Sequence, residues 1–226
     1  MRITAATKDA TRKRILSVAQ RQFAQRGFEA TTTRDIARAA NIAIGTLFNY
    51  FPTKESIVDH LVGETCLQAT EQFSANSVAT APAACSPGNA SAHADALLSL
   101  EEELFAHIAA ILRALKPYRK YLPVVLETSL SPSAHARRAV GPSVRTAHLE
   151  IVGQIVSGHG QQDALPPIGQ QLYWTLYTGV LAFWALDKSP RQEDTLALLD
   201  ESLAMFVGWL NDPHLSERAG GQPPVQ

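Results

Sequence analysis

Between Thr33 and Tyr50 the chain carries two helical runs of about seven residues each, Thr33–Ala39 and Ile44–Tyr50, broken at Asn41. Helices this short do not hold by themselves, because isolated helices below roughly 12–15 residues are marginal in water. Each must lay its apolar side against something else. Ile36, Ala37, Ala40, Ile42 and Leu47 form that side, and the segment before them supplies the cover. Ile15, Ala19 and Phe23 fall on one face of a helix predicted over Asp9–Arg26, with Phe28 just beyond the stop signal Gly27. Three helices arranged this way make a helix-turn-helix, in which the last helix is left free to enter a DNA major groove. Asn41 suits the turn, since it tolerates a left-handed backbone better than most residues. Thr32 or Thr33 can cap the middle helix, and Thr32 with Asp35 forms a capping-box variant.

Helical spacing continues through the rest of the chain and strand signals are scarce, so the expected fold is all-α with about nine helices. Pro52 ends the third helix, and Thr53 is placed to cap a fourth running from Lys54 to about Phe73. Residues 74–94 are rich in Ala, Ser and Pro and are expected to form a mobile loop. Further helices are expected over Asp95–Lys116, Tyr118–Leu130, Pro142–Ser157, Pro167–Asp187 and Arg191–Asn211, with a disordered tail over 212–226. The division is therefore a helix-turn-helix domain over 1–54 and a larger helical domain over 55–226. With 226 residues, 46% of them hydrophobic, one or two ordinary cores can be filled.

Net charge is −1 overall, yet residues 1–54 carry +7 and the remainder −8. A basic end joined to an acidic one fits phosphate binding by that end alone, although a solvated charged surface gives the same count. No apolar run reaches the roughly twenty residues a membrane helix needs. The polar N-terminus lacks a secretory h-region, and Cys66 and Cys85 lack metal-ligand spacing, so free thiols and a cytoplasmic location are expected. The seven His residues show no HExxH pairing, and neither a GxSxG nor a glycine-rich phosphate loop is present. No catalytic residue, metal or cofactor is therefore expected. An enzyme without a recognisable motif stands as the remote alternative.

The stretch from Ile15, the RGF at Arg26–Phe28, the ATTTRDIA at Ala30–Ala37 and the IGTLFNYFPTKE at Ile44–Glu55 together resemble the TetR/AcrR family of one-component regulators. The likeness covers roughly residues 10–60. It implies a dimer of all-helical subunits that binds a palindromic double-stranded DNA operator and is released by a small-molecule effector. That describes a repressor, with an activator of the same fold as the alternative. Carried over residue by residue, Thr33 meets a phosphate at the start of the second helix, and Arg34 reaches a phosphate or a guanine edge. Ile44, Gly45, Thr46 and Asn49 face the groove, Gly45 letting the backbone approach and Asn49 able to pair with adenine. Phe48 and Tyr50 hold the places of backbone-contacting aromatics, and Lys54 contacts a phosphate. Two positions depart from the family pattern: Phe48 lacks the hydroxyl of the usual Tyr, and Ala43 offers no side-chain cap to the recognition helix.

The larger domain is marked by LYWTLYTGVLAFWALDKSP at Leu172–Pro190. Trp174, Tyr177, Leu181 and Trp184 share one helical face, while Leu176, Gly179, Val180 and Phe183 form another, so this helix needs cover on two sides. A symmetry-related subunit is the economical second cover, joined by Leu199, Leu203, Phe206 and Leu210 of the last helix. The alternative is an internal helix of a monomer. Candidate effector contacts are Phe105, Tyr118, Tyr121, His148, Trp174 and Tyr177, although for each of them a plain core role is the stronger reading.

Overall fold

A computed structural model describes residues 4–80, 98–123, 125–126, 144–160 and 165–212. Among them are eight α-helices and no strand, as the sequence periodicity requires. They are α1 (Ala5–Arg26), α2 (Thr33–Ala39), α3 (Ile44–Tyr50), α4 (Lys54–Thr80), α5 (Leu100–Leu115), α6 (Val144–Gly158), α7 (Pro167–Leu186) and α8 (Glu193–Asn211). Short 3-10 turns follow α5 over Lys116–Tyr121 and precede α8 over Pro190–Gln192.

The local chemistry around α2 and α3 matches the sequence reading closely. Gly27 ends α1 at φ 85°, a left-side angle that glycine alone accepts without cost, and its N–H donates to the Phe23 carbonyl. Thr32 and Asp35 form a complete capping box: the Thr32 hydroxyl accepts from the Asp35 N–H while the Asp35 carboxylate accepts from the Thr32 N–H. That hydrogen bonding to Thr32 lowers the pKa of Asp35. Asn41 takes φ 52° at the turn, and α3 starts at Ala43 with no side-chain cap.

Several helix boundaries differ from expectation, each for a local reason. α1 begins at Ala5, because the Thr4 hydroxyl caps it by accepting from the Thr7 N–H. α4 runs on to Thr80, so residues 74–80 are helix rather than loop; the Ala-containing run there extends a helix already nucleated. α5 starts at Leu100, where Ser99 and Glu102 form a second capping box. The helix expected over Tyr118–Leu130 opens instead as the 3-10 turn at Lys116–Tyr121. Residues 127–130, the 81–94 part of the expected loop and the tail from 213 lie outside the described residues.

α4 is the central element, packing on α1 at one end and on α5 and α6 along its length. α5 packs on α8, and α8 on α7. One continuous apolar core runs through all of these, from Ile15 and Phe23 in α1 through Ile57 and Leu61 in α4 to Leu104, Ile111, Val180 and Phe206. α3 contributes one buried residue, Leu47, which is fully enclosed. Leu47→Ala should therefore detach α3 and cost about 3 kcal/mol. Thermal denaturation would show this as a fall in Tm of roughly 10 °C; an unchanged Tm would mean that α3 is held by something else.

Candidate nucleic-acid interface

Leu47 is the one fully buried side chain of α3, and four of its other six residues face outward. Phe48 is 45% exposed and Ile44 37%, and Gly45 and Asn49 are exposed beside them. Large apolar side chains left in water on a short helix are ready for a partner surface. A Cβ added to Gly45 would meet nothing within 4 Å, so the fold itself does not need glycine there. Thr46 and Tyr50 are half-buried, and Tyr50 packs against the core. On α2, Arg34 is exposed and Thr33 half-buried at the first helical position.

Lys54 is more constrained than its sequence role suggests. Its ammonium donates to the Phe28 carbonyl at 2.8 Å and lies 4.0 Å from the centre of the Phe28 ring. One of its three donors is thereby committed to the fold, leaving two for a phosphate. Phe28 in turn packs on Phe23 and Tyr121, with ring centres 5.3 and 5.6 Å away. The start of α4 is thus tied to the loop just before the helix-turn-helix.

Two further ties were invisible in the sequence. The Arg12 guanidinium lies 5.9 Å over the Phe51 ring and donates to Nε2 of His60 at 3.3 Å, joining α1 to α4. Burial and then the Arg12 charge push the pKa of His60 down, which keeps its ring neutral and able to accept that bond. Tyr118 and Tyr121 also bind α1. Gln20 Nε2 donates to the Tyr118 hydroxyl at 2.7 Å, and the Tyr121 hydroxyl donates to the Phe23 carbonyl at 3.2 Å. Both of these expected effector contacts use their hydroxyls to hold α1 to the 3-10 turn. Contacts 98 residues apart leave no local sequence signal.

Of the other effector candidates, His148, Trp174 and Tyr177 come together. The His148 ring stacks on Tyr177 with centres 4.2 Å apart, and Trp174 stands edge-on at 5.9 Å. Phe105 lies half-buried on α5. Sequence reasoning missed Cys66, Phe73, His107 and Tyr173, which complete the cluster. Beside Tyr173 and Tyr177 there is a void of about 10 Å³, room for one water at most.

The expected dimer contacts also need correction. Val180, Leu199, Leu203, Phe206 and Leu210 are buried in the subunit's own core, where α7 and α8 pack on each other and on α5. Leu176 is half-buried, while Gly179 and Phe183 are exposed. Phe183, which the sequence placed on the outer face, is exposed on α7 together with Ile168 and Leu186, and α8 leaves Leu196, Leu198 and Met205 outside.

An exposed third helix, carried on a basic end and held by two covering helices, is the arrangement of a helix-turn-helix. Residues 15–61 match the family model described as bacterial regulatory proteins, tetR family. Over those residues the chain is similar to the TetR family. The HTH-type transcriptional repressor KstR2 of Rhodococcus jostii is 47% identical over 55 residues, covering 24% of this chain and 27% of that protein. The chain therefore spans about a quarter of the length of that relative. The uncharacterized HTH-type regulator YhgD of Bacillus subtilis aligns over 194 residues at 24% identity, 84% of this chain and 92% of that one. Among solved structures, Thermus thermophilus FadR, a TetR-family repressor in complex with lauroyl-CoA, shares the fold at TM-score 0.62. It is 20% identical, and the superposition covers 87% of this chain and 93% of that one. Among the described residues no helix is long and apolar enough to cross a membrane, and no group of metal-ligating side chains assembles.

The buried imidazoles give the fold a pH dependence. Burial pushes His107 down from the ordinary 6.5 to about 4, and burial with the neighbouring His107 pushes His148 well below 6.5. Both rings stay neutral in the folded chain while their unfolded counterparts take up protons, so stability falls as pH drops from about 6.5 toward 4. Denaturant titrations across this window should show a loss of about 3 kcal/mol from His107 alone. A flat profile between pH 7 and 4.5 would contradict the neutral, buried state of these rings.

Proposed function

We propose that this chain is a transcriptional repressor that binds a palindromic operator as a homodimer and releases it when a small molecule occupies the helical domain. The observation that carries the reading is α3 itself: a helix anchored by one leucine, with Ile44, Gly45, Phe48 and Asn49 turned outward. Gly45 supports a groove-facing role, because nothing inside the subunit accounts for its missing side chain. In this reading Asn49 and Arg34 read base edges and Thr46 assists them. Thr33, Tyr50 and the two free donors of Lys54 meet phosphates.

The dimer in this reading forms across the outer faces of α7 and α8. Phe183, Leu186 and Met205 supply apolar area, and Gly179, Ala182 and Gly208 let two helix pairs approach. Two such subunits present two α3 helices to half-sites about one DNA turn apart. The domain boundary at 54–55 falls where α4 begins, so α4 belongs to the effector side and carries its state to the DNA side. That KstR2 and FadR are both repressors, the latter seen with lauroyl-CoA, supports an effector-released repressor. Repression and release take place in the cytoplasm.

Gly45→Ala separates this role from a structural one. Alanine is favoured over glycine in a helix by roughly 0.5–1 kcal/mol, and the site has room, so the free chain should be slightly more stable. Binding to DNA upstream of its own coding sequence, followed by gel retardation, should weaken at least tenfold. A variant that binds as well as the parent would remove α3 from the groove. Asn49→Ala should alter base preference and leave the salt dependence of binding as it was; an unaltered preference would take Asn49 out of the reading set.

A further inference from the structure

His107 sits at the centre of the helical domain with no exposure, and neither of its ring nitrogens has a hydrogen-bond partner. A neutral imidazole carries one donor and one acceptor, and leaving both unmet in the interior is unfavourable compared with an apolar ring of the same shape. The neighbouring imidazole is treated differently, since His148 Nε2 is paired with the Tyr173 hydroxyl at 3.2 Å. The cluster thus holds one satisfied histidine and one that is kept open.

The surroundings state what could meet it. Phe73 and His148 flank the His107 ring, each with its centre 4.9 Å away. Beyond His148 the Tyr173 and Tyr177 rings lie almost parallel, 6° apart. Near-parallel aromatic faces accept a flat ring better than a branched chain. Burial depresses His107, and among the described residues no neighbouring carboxylate or cation contributes, so none of these would compensate a buried charge there. Among the described residues, Arg145 is a charged group beside the cluster. It lies 5.6 Å from the half-buried Trp174 ring, with Nη2 donating to the Gln171 side chain.

We propose that this cluster recognises the effector, and that the effector is an uncharged, flat, largely apolar molecule whose one hydroxyl or carbonyl bonds to the open imidazole of His107. The proposal rests on reading the chain as an effector-released regulator and names the class of molecule it answers to. The core is closed as it stands, so binding parts the rings, and Phe73 and Trp174, both only half-buried, are the sides that can yield. Cys66 and Phe73 belong to α4, and His107, His148 and Tyr177 to α5, α6 and α7. A molecule inserted among them displaces α4, whose first residue is Lys54.

Calorimetric titration with three probes tests this: 2-naphthol, naphthalene and 2-naphthoate. The full chain should bind 2-naphthol about tenfold more tightly than naphthalene, and 2-naphthoate more weakly than either. His107→Phe should raise the Tm of the free chain and bind 2-naphthol and naphthalene alike. His107→Gln, which keeps a donor and an acceptor, should retain part of the preference for naphthol. Tightest binding by the naphthoate, no binding by any probe, or a lowered Tm for His107→Phe would each overturn the proposal. Retention of upstream DNA by the same preparations is scored separately. Its absence from the parent chain would defeat the regulator reading, whereas intact DNA binding with failed probes would defeat only the class of effector.

Discussion

The ammonium of Lys54, held between the carbonyl and the ring of Phe28, ties the start of α4 to the loop before α2, and the short helices between them lie within that frame. α2 and α3 are too short to hold a position by themselves, and α3 has a single buried anchor. Their orientation is inherited from what lies on either side: the end of α1 with its Phe23–Phe28 loop, and the first turn of α4. Lys54 joins those two, and Tyr121 closes the other side of the same aromatic group by bonding the Phe23 carbonyl. A cation over an aromatic ring contributes about 0.5–2 kcal/mol depending on how dry the site is. This one also satisfies a backbone carbonyl in the loop that precedes α2.

The consequence is mechanical. α4 touches α1 at its start and the buried aromatic cluster further along, so the two ends of the molecule share one helix. Arg12 bonded to His60 and stacked over Phe51 reinforces the near end. In the proposed reading, a shift of α4 reaches α3 through α1 and α2, and α4 gives the two proposed sites a common element to bias.

The helix-turn-helix was legible because its rules are local. Asn41 at a left-handed turn, the Thr32–Asp35 capping box, Gly27 as a stop and Ala43 as a missing cap each depend on residues three or four apart. The helical domain was legible only as helices. Its expected outer face went wrong at Val180, Leu199, Leu203, Phe206 and Leu210 because α7 is apolar almost all round, and periodicity alone does not say which face meets the partner. The ties that Tyr118 and Tyr121 make to α1 left no signal for the opposite reason, since their partners lie 98 residues away. His107 was passed over because nothing adjacent to it in sequence distinguishes an open imidazole from a paired one.

Selection of bound DNA from a random pool by the full chain tests the central claim most directly. The account predicts enrichment of a palindrome whose half-sites are centred about one helical turn apart. Retained pools with no common sequence at any salt concentration, or no retained DNA at low salt, would contradict it.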